Sequence, residues 1–211
     1  MTILALEFSS EQRSVALASN GSVLSEAVET GGRGVAAFAM IEKVLTGVGL
    51  EREQIETIAV GLGPGSYTGI RAAIALAEGW KIARGTSLRG VSSVAAVVSV
   101  AQTEKIFGPV SVVVNAQRQE FYTATYDITE TGWTEVAPLK ILSRSGVLDV
   151  SRGRLLIGPE APKFPEGRLV FPSAAAVARL AAGQPSDEPL EPIYLRETNF
   201  VKATKTSRPL V

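Results

Sequence analysis

The 211-residue sequence predicts an α/β fold, on three observations. The N-terminal stretch reads as three consecutive strands with a hairpin signal between the second and third. Helical and strand-like patterns then alternate. From Gly108 the texture changes to β-branched and aromatic runs. Strands interleaved with helices in this way suit a mixed sheet covered by helices.

Ile3–Phe8 is an apolar run with the character of a buried strand, and Ser9–Gln12 is a polar turn. Arg13–Ser19 alternates as a second strand, Asn20-Gly21 is a two-residue hairpin signal, and Ser22–Glu29 is the third strand. Gly31-Gly32-Arg33-Gly34 breaks the pattern. Val35, Phe38, Ile41, Val44/Leu45 and Val48 then recur at helical spacing, which predicts a helix over Val35–Val48. Ile55–Leu62 is a further strand. A loop rich in glycine, proline and hydroxyl residues leads from it into a helix over Thr68–Arg84. Leu88–Val91 is a short strand, and Ser92–Gln102 a helix that starts from serine caps.

Pro109–Asn115 and Phe121–Ile128 are strands around a polar turn, and Trp133–Leu142 is extended. Leu155–Gly158 and Arg168–Phe171 are short strands flanking a loop with Pro159, Pro162 and Pro165. Ser173–Ala182 is an alanine-rich helix capped by Ser173. Gln184–Pro192 reads as a proline- and acid-rich linker, and the tail after Thr198 as polar and mobile. A boundary at residues 103–108 divides the chain into subdomains 1–104 and 105–211.

Composition narrows the chemistry. The chain is 45% hydrophobic and 20% charged, as a folded protein should be. Lys+Arg and Asp+Glu are both 21, so the formal net charge is zero, which argues against nucleic acid as a direct, unaided partner. A neutral chain with a mean hydropathy of +0.20 tends to associate with itself or with another protein. The absence of cysteine excludes disulfides and thiolate nucleophiles. The absence of histidine excludes Ser-His-Asp chemistry and histidine-ligated metal. No basic n-region precedes the first strand, and the longest apolar run, Val94–Ala101, is far too short to span a bilayer. A cytoplasmic protein without a membrane anchor is the expectation.

Three segments could carry function. In the loop, Gly61, Gly63, Gly65 and Gly69 permit close backbone approach, and Ser66 and Thr68 are cap candidates. Such a loop either cradles an anion at the helix start or turns a corner between packed elements. Its spacing matches neither a P-loop nor a dinucleotide fingerprint, which favours the structural turn. The helix after it is apolar all round, with Gly69, Ala73 and Ala77 in a row and Ala72, Ala75, Gly79 and Ala83 beside it. A helix apolar on nearly all sides is buried on nearly all sides, either by the core and a partner chain or as a central helix within the monomer, two readings that the residues leave evenly balanced. Glu7, Ser9 and Ser10 end the first strand, where a carboxylate and hydroxyls could hold phosphate-bound magnesium. Arg118 and Glu120 lie in the polar turn, where the residues favour an exposed turn between strands over an ion pair or ligand contact. Arg71 lies in the first turn of its helix, unfavourable for the dipole, so a carboxylate or phosphate contact is the candidate for it.

GLGPGSYTGIRAAIALAEGWKIA closely resembles the signature of the TsaB (YeaZ) family. ILALEFSSEQRSVAL, GVSSVAAV, NAQRQEFY and EPIYLR are similar to that family's other motifs and occur in the same order along the whole chain. The resemblance implies an actin-like ATPase (ASKHA, ribonuclease H-like) fold of two subdomains with mixed sheets flanked by helices. It implies a non-catalytic paralogue of TsaD that acts in the synthesis of threonylcarbamoyladenosine beside the anticodon of ANN-decoding tRNA. TsaD is the direct partner, through a helical bundle; TsaE docks on the pair; tRNA is reached through the complex; and the chain alone forms a homodimer. On this chain the partner interface would comprise Val35, Phe38, Ile41, Leu45, Gly69, Ala73, Ala77 and Trp80. Nucleotide-binding residues would be Glu7, Ser9 and Ser10, with no intrinsic cofactor and with ATP or ADP and magnesium at the junction of the complex.

Where TsaD has two metal-ligating histidines, Ser93 and Val97 stand here. The family's strand-end aspartate is Glu7, and its Asp-Ala-Arg is Asn115-Ala116-Gln117, departures that argue against ATP hydrolysis by this chain. The alternative is a stand-alone ATPase, phosphotransferase or peptidase, for which Glu7 with Glu120 is the one acid–base pair to nominate.

Overall fold

The computed structural model describes residues 1–31 and 36–196. Val35 and the tail after Thr198 lie outside the described residues. Two five-stranded sheets organise the rest. The first contains β1 (Thr2–Glu7), β2 (Gln12–Ser19), β3 (Ser22–Thr30), β4 (Thr57–Gly61) and β5 (Ser87–Val91), in the order β3-β2-β1-β4-β5. β1, β2 and β3 are antiparallel; β4 and β5 are added parallel to β1. Asn20 and Gly21 have φ of 49° and 84°, the left-handed pair that a tight hairpin needs.

Helices α1 (Ala37–Thr46) and α2 (Tyr67–Arg84) cover one face of this sheet. Leu4, Leu6, Phe8, Leu17, Met40, Ile41 and Val44 form the core there. Helix α5 (Ala174–Ala181) covers the other face. Its alanines meet Ile3, Ala5, Ala16, Ala18 and Ala59 of the sheet, small against small, so helix and sheet approach closely.

The second sheet contains β6 (Gly108–Asn115), β7 (Glu120–Ile128), β8 (Trp133–Ser143), β9 (Leu155–Gly158) and β10 (Arg168–Leu169), in the order β10-β9-β6-β7-β8. Helix α3 (Ser93–Thr103) lies between the two sheets. Val94, Val97, Val98 and Ala101 pack into the second core, while Ala96 belongs to the first. A short helix, α4 (Arg144–Val150), is not foreseen by the sequence pattern; it buries one residue, Val147, too little for a helical period to show.

This is the two-subdomain, mixed-sheet architecture that the resemblance implies. A cut at residue 104 separates the sheets but not the helices. α3 precedes the cut and packs on the second sheet, and α5 follows it and completes the first. Gln184–Pro192 is likewise not a free linker, and the attachment continues to residue 196. Asp187 N–H donates to Leu88 O (2.9 Å), Ile193 N–H donates to Leu62 O (2.9 Å), and Leu190 is buried in the first core. No helix among the described residues is long and apolar enough to cross a membrane.

Candidate functional site

The glycine loop is packed against the end of β1. A Cβ added at Gly65 or Gly69 would run into the carbonyl of Ser9 or Phe8, and one at Gly61 into the Glu7 carboxylate. Gly63 combines a φ of 87° with a position against Ile70. Gly65 and Gly69 are required by close approach to the protein's own backbone, Gly61 and Gly63 by close approach to its side chains. Ser66 N–H donates to Ser9 O (2.7 Å), and Ser66 Oγ accepts from Gly69 N–H (3.3 Å) as the cap of α2. The loop's contacts are thus the structural turn's.

Glu7 has no exposed surface. Its Oε1 accepts from Ser9 N–H (2.7 Å) and its Oε2 from Ser93 Oγ (2.7 Å). Ser93 Oγ in turn accepts from Gly63 N–H (3.0 Å). Burial pushes the Glu7 carboxyl above the usual carboxylate range, with the Ser9 and Ser93 hydrogen bonds pulling less strongly the other way. The carboxylate therefore braces β1, the glycine loop and the start of α3. Glu7 is corrected as a nucleotide ligand, because its oxygens are engaged inside the protein. Ser9 and Ser10 do line a cleft.

That cleft runs between the two sheets, encloses about 360 Å³, and is walled by Ser9, Ser10, Glu11, Ser66, Asn115 and Glu160, among others. Among the described residues no lysine or arginine lines it, and two carboxylates do. A phosphate wants a cation or a free cluster of N–H donors, so these walls do not fit a nucleoside triphosphate held by this chain alone. Glu120, the other half of the nominated acid–base pair, is ion-paired with Arg196 in the second half, away from sealed Glu7. Arg118 is not its partner. Because α2 starts at Tyr67, Arg71 is in its second turn, and among the described residues its contact is not a carboxylate but the Tyr67 ring, 4.2 Å away.

The helix faces differ from the expectation. Ile41, Leu45, Gly69, Ala73 and Ala77 are all buried within the chain, the last two fully. They face the core shared with β1 and Phe8, which corrects their assignment to a partner surface. Phe38 is 72% exposed, and Trp80 is half-buried. Both line an apolar groove of about 630 Å³ between α1 and α2, with Ala72, Ala75, Leu76, Gly79 and Ala83. Arg52 and Arg84 also line it, held by Glu42 and Glu53. The second small-residue row, Ala72/Ala75/Gly79/Ala83, is visible in the sequence. Its signal is Gly79, a mid-helix glycine that costs about 1 kcal/mol relative to alanine and has no core contact to justify it.

A family model described as TsaD, tRNA N6-adenosine threonylcarbamoyltransferase, matches residues 35–165. The chain is 26% identical to the tRNA threonylcarbamoyladenosine biosynthesis protein TsaB of Escherichia coli, over 93% of this chain and 95% of that one. It is 30% identical to the Mycobacterium tuberculosis protein Rv3421c, over 72% of this chain and 69% of that one. The structure of YeaZ from Pseudomonas aeruginosa superposes with a TM-score of 0.77, covering 92% of this chain and 99% of YeaZ at 24% identity, which shows a common fold.

Proposed function

The chain belongs to the TsaB (YeaZ) family, related to TsaD, and on that premise we propose that it is the non-catalytic subunit that pairs with TsaD to make threonylcarbamoyladenosine in tRNA. The observation that carries this reading is the apolar groove between α1 and α2. An exposed phenylalanine beside a row of alanines and a glycine offers an aromatic anchor and room for a facing helix to come close. In this reading two helices of TsaD fill the groove as a bundle. A second copy of this chain fills it when TsaD is absent.

The rest of the assignment follows from that pairing. TsaE docks on the pair, and tRNA is reached through the complex, in keeping with a net charge of zero. Nucleotide and magnesium sit at the junction of the complex, where Ser9 and Ser10 form this chain's lip and the partners supply the cations that its own cleft lacks. The chain has no activity of its own: Glu7 is sealed, Glu120 is bound to Arg196, and no histidine is present. The setting is the cytoplasm, where tRNA is.

Reconstitution tests the proposal. TsaD and TsaE should modify tRNA only when this protein is added. Gly79→Arg should abolish co-elution with TsaD, and with it modification, while the variant's circular dichroism matches the parent's and its Tm is no lower. Equal modification with and without the protein would overturn the reading.

A further inference from the structure

Residues 184–196 run along the first half of the molecule and end on the second. At the near end the attachment is dense. Asp187 takes Lys81 Nζ (3.0 Å) and Ser87 Oγ (3.3 Å), and its N–H donates to Leu88 O. Leu190 is buried, and Ile193 is hydrogen-bonded to Leu62 at the mouth of the glycine loop. Tyr194 stacks on Tyr67, with ring centroids 5.6 Å apart and planes 21° from parallel. Two residues later the chain has crossed to the second sheet. Arg196 donates to Ala116 O (3.2 Å) and pairs with the Glu120 carboxylate, and Leu195 and Arg196 lie beside the Tyr122 phenol.

The crossing spans the cleft already described: Tyr67 lies on one wall, and Asn115 and Gln117, flanking Ala116, on the other. Two covalent connections also join the halves, from α3 into β6 and from β10 into α5. These two connections, with α3 packed between the sheets, define a line about which the halves can rotate. A third attachment away from that line removes the rotation. We propose that residues 184–196 are a strap across the cleft, fixed to the first half and latched to the second by Arg196, and that the latch sets how far the two halves open.

The two ends differ in strength in the way a latch requires. The fixed end has a buried leucine and backbone hydrogen bonds. The latched end is the Arg196–Glu120 ion pair, with both side chains about a third exposed (33% and 38%), beside the Arg196 hydrogen bond to Ala116 O and the Leu195 backbone contact with the Tyr122 phenol; salt and water compete for the pair. The Tyr194 hydroxyl between them is buried with no hydrogen-bond partner, a group that regains hydration when the strap lifts. Release of the second end therefore has a low cost, and release of the first does not. This device belongs to the chain itself and does not rest on the pairing with TsaD.

The natural absence of cysteine makes the test direct. Spin labels on Glu11→Cys, at the first lip, and Asp149→Cys, in α4 of the second half, report the opening by pulsed electron resonance. Arg196→Ala should shift the distance distribution to longer values and broaden it. The amides of residues 194–195 should exchange with solvent roughly tenfold faster, while those of Ile193 and α5 keep the parent's protection. Glu120→Ala, a substitution at a half-exposed site, should give the same two changes and serves if Arg196→Ala does not fold. Distances and exchange unchanged in the variants would overturn the proposal. So would faster exchange throughout α5, which would mean general loosening instead of hinge release.

Discussion

Helix α2 carries two glycines ten residues apart, and they are glycine for opposite reasons. At Gly69 a Cβ would collide with the Phe8 carbonyl; at Gly79 it would meet nothing within 4 Å. The first is small because the molecule's own backbone lies against it. The second is small with only empty space beside it, at a cost in helix stability that nothing inside the chain offsets. The same contrast separates the rows around them. Ala73 and Ala77 are fully buried, whereas Ala75 and Ala83 are exposed beside Phe38. A small residue thus reports close approach, and the structure separates approach by the chain itself from approach by another molecule.

Substitutions can break this contrast. The largest effect is expected at Ala77→Arg, which drives a charge into the first core. The cost should exceed about 4 kcal/mol and leave little folded protein, seen as loss of the cooperative urea transition. Gly69→Ala forces α2 away from β1 and should cost about 1–3 kcal/mol by the same measurement, because the obstructing atom is backbone and cannot rotate aside.

Gly79→Ala should go the other way. It should raise stability by about 1 kcal/mol and Tm by a few degrees while weakening the pairing proposed for that face, measured by calorimetry of both. Arg71→Ala should be the mildest of these, at about 0.5–1 kcal/mol, since it removes only the contact with the exposed Tyr67 ring.

Glu7 sharpens the inner side of the comparison by pH. Its carboxyl is held above the ordinary value, so between 4.5 and its folded-state value the native protein binds more protons than the unfolded chain. Stability therefore falls as pH rises through that window, and the penalty is complete above it. Glu7→Gln should flatten that slope in urea midpoints measured from pH 4.5 to 8. A parent slope that persists in the variant would assign the dependence to another group.

The strands were legible because their pattern is local: alternation in Arg13–Ser19, the Asn20-Gly21 turn, and apolar runs ended by polar turns. The faces of α2 were not, because a helix apolar all round has no periodic contrast from which to read an inside. Glu7, Ser9 and Ser10 were legible as a polar strand end. That Ser93, distant in sequence, would engage the carboxylate is a tertiary fact with no local signature. The strap was misread for a related reason. Proline and acidic residues usually mark solvent-exposed linkers, and here Asp187, Leu190 and Ile193 are each bound at one point by a surface that the sequence does not display.

The return of α5 to the first sheet has a consequence for how the chain is made. The face of β1 and β2 bearing Ile3, Ala5, Ala16 and Ala18 is closed chiefly by residues 174–181, with Ala96 and Val100 of α3 in the same cluster. Synthesis at typical rates takes roughly 4–15 s to pass from the end of α3 to the end of α5. During that interval the first sheet emerges from the ribosome with one side largely uncovered, and the protein's earliest-made strands are among the last to be sealed.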